Sequence, residues 1–262
     1  MNIETLKRIP PRSWLFVPAL KAPEWLPKAI ATGADGIILD LEDATAPDEK
    51  ERASGVVAGL GIAARERPAI VVRVNASPPE LDRDVDAAVR AGADGVVLPK
   101  VEGPWQIRRC AWFLEEAETK AGTDRRLAIL PMVETGRAVL RALDLADADK
   151  RVVSLMFGGG DLSAIVGWLR TKEGGELALA RALVVLAASA AGIGAVDTPW
   201  LDIKDTAGAR DESRTVRDMG FTGKFAIHPS HVAPIHDGFS PSEEEIADAR
   251  GLLETFERAV AA

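Results

Sequence analysis

Short apolar runs alternate along this chain with longer stretches whose apolar residues recur every three or four positions. The short runs, at residues 13–17, 36–40, 69–74, 95–98, 127–133, 152–157, 194–197 and 225–227, predict buried strands, and each is followed by a helical pattern. A weak internal repeat supports that count: Ala31-Thr-Gly-Ala-Asp-Gly-Ile-Ile-Leu39 recurs as Arg90-Ala-Gly-Ala-Asp-Gly-Val-Val-Leu98. In both copies the first glycine suits a helix C-cap and the second opens a strand, so each marks a helix-to-strand joint. Eight such units in 262 residues predict a (β/α)8 TIM barrel as a single domain over residues 1–262, with a doubly wound open sheet as the alternative. No Pro/Gly/Ser-rich linker divides the chain.

Composition narrows the function classes. Apolar residues make up 47% of the chain, enough for a large core, and 40 acidic against 32 basic residues leave a net charge of −8. That balance disfavours nucleic acid or an anionic membrane as a general partner, while leaving room for a local basic pocket that takes an acidic ligand. The segment up to Trp14 is polar and punctuated by proline, with no signal-peptide apolar core. The longest apolar run, residues 182–196, is too short for a bilayer and contains Gly192 and Gly194. The single cysteine, Cys110, lies in an amphipathic stretch and reads as a packed helical thiol rather than a nucleophile. These features predict a cytoplasmic protein in a reducing compartment.

A barrel of this kind carries its active site at the carboxyl ends of the strands, so the polar residues there are the candidates. The fifth strand runs apolar through Val133 and delivers Glu134 just before a helix beginning near Thr135, and the sixth runs into Gly158-Gly-Gly-Asp161. Adjacent parallel strands lie roughly 5 Å apart, which lets Glu134 and Asp161 share one small divalent ion. Asp161 alone would read as an ordinary helix N-cap. Three consecutive glycines, Gly159 and Gly160 among them, suggest instead a backbone that approaches a ligand closely and offers amide donors to an anion.

The second strand ends Leu39-Asp40-Leu41-Glu42-Asp43, with Asp40 and Glu42 on one face. So much negative charge beside a carboxylate pair invites a cation; the blander reading has Asp43 capping the next helix and Glu42 in solvent. In the third strand Val71, Arg73 and Asn75 share a face. A guanidinium in a strand covered on both sides is either an anion clamp at the mouth or a buried partner of a strand-two carboxylate. Lys100, after the fourth strand, suits a structural or carboxylate-binding role better than Schiff-base chemistry, because Glu102 nearby favours its charged form. Of the three histidines, His228 is expected to face the mouth and His231 and His236 the surface. Pro229 breaks any helix through His228, so no zinc site is expected.

These residues fall in an ordered series of motifs: Arg12-Ser-Trp-Leu-Phe-Val-Pro18, Ile38-Leu-Asp-Leu-Glu-Asp43, Val72-Arg-Val-Asn75, Leu98-Pro-Lys-Val-Glu102, Pro131-Met-Val-Glu-Thr-Gly-Arg137, Phe157-Gly-Gly-Gly-Asp-Leu162 and Ile227-His-Pro-Ser230. The series resembles that of the HpcH/HpaI aldolase and citrate lyase superfamily, in particular its citrate lyase β-subunit-like branch, and runs from Arg12 to about Arg250. The resemblance implies a homotrimer or hexamer that makes or breaks a carbon–carbon bond with Mg2+. It makes Glu134 and Asp161 the metal ligands and Arg73 a substrate-binding and oxyanion-stabilising group, with Glu42 and Asp43 holding metal-bound waters. Two carboxylates leave space for waters and a bidentate 2-oxo acid.

The first expectation is therefore cleavage of a β-hydroxy acyl-CoA thioester such as citryl-CoA or malyl-CoA. The second is an aldolase acting on a 4-hydroxy-2-oxo acid without coenzyme A, although such aldolases usually carry a histidine after the strand-two acid, where this chain has Leu41-Glu42-Asp43. The third is a metabolite-binding barrel without catalysis. The general base is left between a metal-bound water and a strand-two carboxylate. After Pro18 the usual glycine and arginine-bearing turn is replaced by Ala19-Leu-Lys-Ala-Pro-Glu-Trp25, which leaves Arg12 and Lys21 for coenzyme A. Gly160 stands where an acidic residue commonly precedes the metal aspartate. With the chain ending at Ala262, no carboxyl-terminal extension of the kind that covers a neighbouring subunit's site in several relatives is expected. The loop over residues 169–176 has no place that its composition dictates.

Overall fold

The strands close into a parallel barrel: β1 Ser13–Pro18, β2 Gly36–Asp40, β3 Ala69–Arg73, β4 Gly95–Leu98, β5 Ala128–Val133, β6 Ser154–Phe157, β7 Gly194–Asp197 and β8 Gly223–Ala226. Each pairs with the next, and β8 returns to β1 through Ser13 opposite Lys224. The computed structural model describes residues 1–62 and 68–261. The predicted (β/α)8 barrel is the observed fold, and the open sheet is excluded because the sheet has no edge. Among the described residues no helix is long and apolar enough to cross a membrane.

Every residue of β2 to β8 is buried. This follows from a parallel barrel being covered by helices outside and by its own side chains inside. Alternation sorts the residues into two cores. Ile38, Val71, Val97, Leu130, Met132, Met156 and Phe225 pack inside the barrel, whereas Ile37, Leu39, Ile70, Val72, Val96 and Leu98 pack against the helices. Continuing the inward set by one step of two residues brings Asp40, Arg73, Glu134 and Gly158 to the carboxyl-terminal mouth. The same alternation that fills the core thus selects the site.

The two repeats behave as helix-to-strand joints. Gly33 and Gly92 take positive φ values of 77° and 78° at the helix ends, a conformation with little cost only without a Cβ. At the opposite end of the barrel, the helix Ile3–Arg8 inserts Leu6 beside Trp14 and closes the interior. Cys110 is fully buried in the helix Pro104–Lys120, where burial pushes its thiol up to about 12.

Some boundaries move. The last strand begins at Gly223 rather than Phe225, because Lys224 is a strand residue: it is completely buried and its ammonium reaches Asp197 at 2.6 Å and Glu212 at 2.7 Å. The sixth begins at Ser154, with Val152 making only an isolated bridge to Ile129. His231 and His236 are not surface residues. His231 is fully buried beside the backbone of Asp202 and Ile203. His236 reaches the Ser13 hydroxyl at 2.8 Å near the amino end of the barrel.

Candidate active site

The mouth holds a cavity of about 900 Å3 whose walls include Phe16, Asp40, Asp43, Arg73, Met132, Glu134, Gly158, Gly160, Asp161 and His228. Glu134 is 1% exposed. Its Cγ lies 2.4 Å from where a Cβ on Gly158 would stand, so the first residue of the glycine run is needed for space beside this carboxylate. Gly159 is hemmed in by Leu177, Phe157 and Thr198. Asp161 is the third residue of the helix Gly159–Val166, with Gly158 at the N-cap position and no side chain capping that end. The aspartate is therefore not used as an N-cap, and its carboxylate is exposed to the cavity.

Burial is the largest influence on Glu134 and raises its pKa to about 7; the Lys100 N–H, donating at 2.8 Å, acts against this, while Asp161 and Glu42 add to it. A buried carboxylate with two acidic neighbours is relieved by a proton or by a cation. Among the described residues no group of three or more His, Cys, Asp or Glu is arranged to hold a metal. The donor set is instead two carboxylates at an open cavity, which fits a small hard cation that keeps several waters.

Arg73 unites both readings of its strand position. It clamps Asp40 with Nε to Oδ1 at 2.7 Å and Nη2 to Oδ2 at 2.5 Å, and its Nη1 reaches Asp43 and Glu42, each at 3.0 Å. It is a buried ion-pair partner and, because it also lines the cavity over the Phe16 ring, a group that faces a ligand. Burial alone would lower its pKa; hydrogen bonds and charge from Asp40, with Glu42 and Asp43, outweigh this and raise it. Asp40 also accepts the N–H groups of Glu42 at 2.9 Å and Ala44 at 3.2 Å, shaping the turn that carries Glu42 and Asp43. Asn75 braces the same turn by donating to the Leu41 carbonyl at 3.1 Å.

Glu42 is buried rather than solvated, and burial, first, raises its pKa against the opposing pull of Lys100 and Arg73. Its Oε2 is buried and faces the Arg73 Nη1 at 3.0 Å as an ion pair. For Asp43 burial acts upward, but the charge of Arg73 prevails and lowers the pKa. Lys100 ties the two halves of the site together. Its backbone, at φ 53°, points the N–H at Glu134, and its ammonium pairs with Glu42.

Residues 12–229 match the model of the HpcH/HpaI aldolase/citrate lyase family. The chain belongs to this family. It is 31% identical to the citrate lyase subunit beta of Leuconostoc mesenteroides subsp. cremoris over 265 residues, which is 99% of this chain and 85% of the relative. It is 29% identical to the human mitochondrial citramalyl-CoA lyase over 265 residues, 95% of this chain and 77% of that one. The crystal structure of protein CitE from Mycobacterium tuberculosis in complex with magnesium, acetoacetate and coenzyme A superimposes with a TM-score of 0.80 at 34% identity, covering 97% of this chain and 89% of the other.

Not every residue expected at the site of this family member arrives there. Arg12 precedes β1 and sits at the amino end of the barrel, where its Nε pairs with Asp35 at 2.8 Å. A residue before a strand cannot reach the mouth that lies beyond the strand's other end. Lys21 follows β1 on the correct side but is exposed and outside the cavity lining. Trp25, Lys28 and Arg170, which the sequence does not mark as site residues, do line it. Lys28 lies on the helix Ala22–Ala31, which Lys21 immediately precedes. Arg170 lies in a loop and left no periodic signal.

Proposed function

We propose that this protein is a Mg2+-dependent carbon–carbon lyase that cleaves a β-hydroxy acyl-CoA thioester into a 2-oxo acid and an acyl-CoA. The observation that carries the reading is the convergence of Glu134, Asp161 and Arg73 on one cavity in a chain of this family. Glu134 and Asp161 would hold the metal. Bound there, Mg2+ supplies a Lewis acid for the oxygens of the oxo-acid half.

Cleavage removes the hydroxyl proton, breaks the bond between the carbinol carbon and the thioester α-carbon, and passes the bonding pair to the thioester as an enolate. A proton returned to the α-carbon completes the acyl-CoA. Arg73 offsets the charge that develops on the enolate oxygen, and Asp40 holds the guanidinium in place so that little reorganisation is needed. Glu42 takes the hydroxyl proton, and its burial raises its affinity for one. The protein works in the cytoplasm as a homo-oligomer, a trimer or hexamer, a reading supported by the apolar residues that the helix Glu243–Ala261 leaves exposed.

The test offers the purified protein citryl-CoA, malyl-CoA and a 4-hydroxy-2-oxo acid, with Mg2+ or with excess EDTA. Thioester cleavage in Mg2+ alone is expected. Cleavage of the oxo acid alone would make the protein an aldolase, and turnover unaffected by EDTA would remove the metal from the mechanism. Glu134→Gln should abolish turnover with an unchanged circular dichroism spectrum. Arg73→Lys should lower kcat by about 100-fold or more, since lysine cannot reproduce the fork held by Asp40.

A further inference from the structure

The cations of the mouth are not equally committed. Arg73 is surrounded by Asp40, Glu42 and Asp43, Lys100 pairs with Glu42, and Lys28 pairs with Glu24 at 2.7 Å. Arg170 differs. Among the described residues its one ion-pair partner is Glu176, with Nε to Oε1 at 3.6 Å. That carboxylate is already held by Thr171, whose N–H donates to Oε1 at 3.2 Å and whose hydroxyl donates to Oε2 at 2.7 Å. The Arg170 Nε is buried without a hydrogen-bond partner.

The position of Arg170 is as informative as its charge. Gly167, at φ 81°, ends the helix Gly159–Val166 and turns the chain back, and three residues later Arg170 joins the lining of the same cavity as Glu134 and Asp161. Its Nη1 lies 3.9 Å from the point where a Cβ on Gly160 would stand. Gly160 is the residue immediately before Asp161, so the guanidinium stands beside the first helical turn that carries a metal-site carboxylate. A glycine there leaves the space in front of the guanidinium open. Pro199 and Leu201 supply an apolar wall to the same cavity, and an apolar surround strengthens an ion pair.

We propose that Arg170 is a specificity residue that binds a second carboxylate on the 2-oxo acid half of the substrate, so that the enzyme prefers thioesters that release a dicarboxylic 2-oxo acid. This rests on the lyase reading above. The acid's own carboxylate and oxo oxygen belong at the metal that Glu134 and Asp161 would hold. A carboxylate on its far carbon then meets Arg170, which among the described cavity-lining cations is the one without a close ion pair. A planar fork suits that contact, because a carboxylate can take two parallel N–H bonds from it.

The experiment is isothermal titration calorimetry of the full-length protein in Mg2+ with freshly prepared oxaloacetate, with pyruvate and with coenzyme A, for the wild type, Arg170→Gln and Arg170→Lys. Arg170→Gln should weaken oxaloacetate binding about 10- to 100-fold, the loss of a charge-assisted contact. It should leave pyruvate and coenzyme A within about twofold, while Arg170→Lys restores part of the oxaloacetate affinity. An equal loss for both acids would overturn the assignment and make Arg170 a support for the helical turn that carries Asp161. A loss confined to coenzyme A would overturn it in favour of a phosphate contact, and no change with any ligand would overturn it outright. If neither acid binds the wild type in a Mg2+-dependent way, the lyase reading fails and the assignment falls with it.

Discussion

Glu134 shows how one buried side chain links the stability of this fold to its chemistry. In the metal-free protein burial, more than any neighbour, raises its pKa from 4.5 to about 7. The folded state then holds the proton more tightly than the unfolded chain does. Its contribution to stability is fully present below about pH 4.5 and is lost as the pH rises through about 7. In EDTA, the Tm of the wild type should therefore fall between about pH 5 and pH 8 relative to that of Glu134→Gln, which has no such proton to lose. Parallel Tm curves for the two proteins would refute the assignment. Lys100 makes a second prediction at this scale. Its left-handed backbone costs a residue with a Cβ roughly 1–2 kcal/mol, a cost that glycine escapes. Lys100→Ala and Lys100→Gly both lose the Glu42 partner, so their difference isolates the backbone. Urea denaturation should find the alanine variant less stable by about 1 kcal/mol.

Between elements, β7 and β8 are bonded to their covering helices by charge as well as by apolar contact. Asp197 and Lys224 point outward from the barrel and meet Arg181, from the helix Ala178–Ala190, and Glu212, from the helix Thr206–Met219. Arg181 donates to Asp197 at 2.8 and 3.0 Å and to Glu212 at 2.7 Å, while Lys224 also donates to the Thr198 carbonyl at 2.6 Å. Burial works against ionising Asp197, but the charges of Lys224 and Arg181 prevail and its pKa is lowered. Breaking such a buried set leaves charge without compensation. Lys224→Met should destabilise the protein by about 3–5 kcal/mol in urea denaturation. A loss within about 0.5 kcal/mol, the range of an ordinary surface substitution, would show that the network adds nothing to the packing.

For the whole molecule, the barrel core and the helix Glu243–Ala261 are opposites. The barrel buries both faces of its strands, but that helix leaves Leu252, Leu253, Phe256 and Val260 more than half exposed. Apolar residues at this spacing form a stripe that water does not favour. In the proposed oligomer this stripe meets protein. The double variant Leu252→Glu and Phe256→Glu should shift the mass seen by light scattering toward that of one chain, with the far-ultraviolet spectrum retained. An unchanged mass would separate the helix from assembly.

What the sequence determined by itself lies close to the strands. Period-two alternation and the helical spacing between runs suffice to derive a parallel barrel, and the same alternation carries Asp40, Arg73 and Glu134 inward at the mouth. These are local consequences of backbone geometry, so they could be read without knowing which distant segments meet. The Gly158–Asp161 stretch was legible for a related reason, since consecutive glycines at a strand end signal crowding. Only the tertiary structure decided which end of the barrel Arg12 occupies, that His231 is sealed inside, that Lys224 is a strand residue and that Arg170 returns to the cavity. For Arg12 and Lys224 the outcome depends on partners far along the chain, Asp35 for the first and Asp197 and Glu212 for the second. A polar side chain in a loop or under a helix is placed by the groups that satisfy its charge, and those are brought together only when the barrel closes.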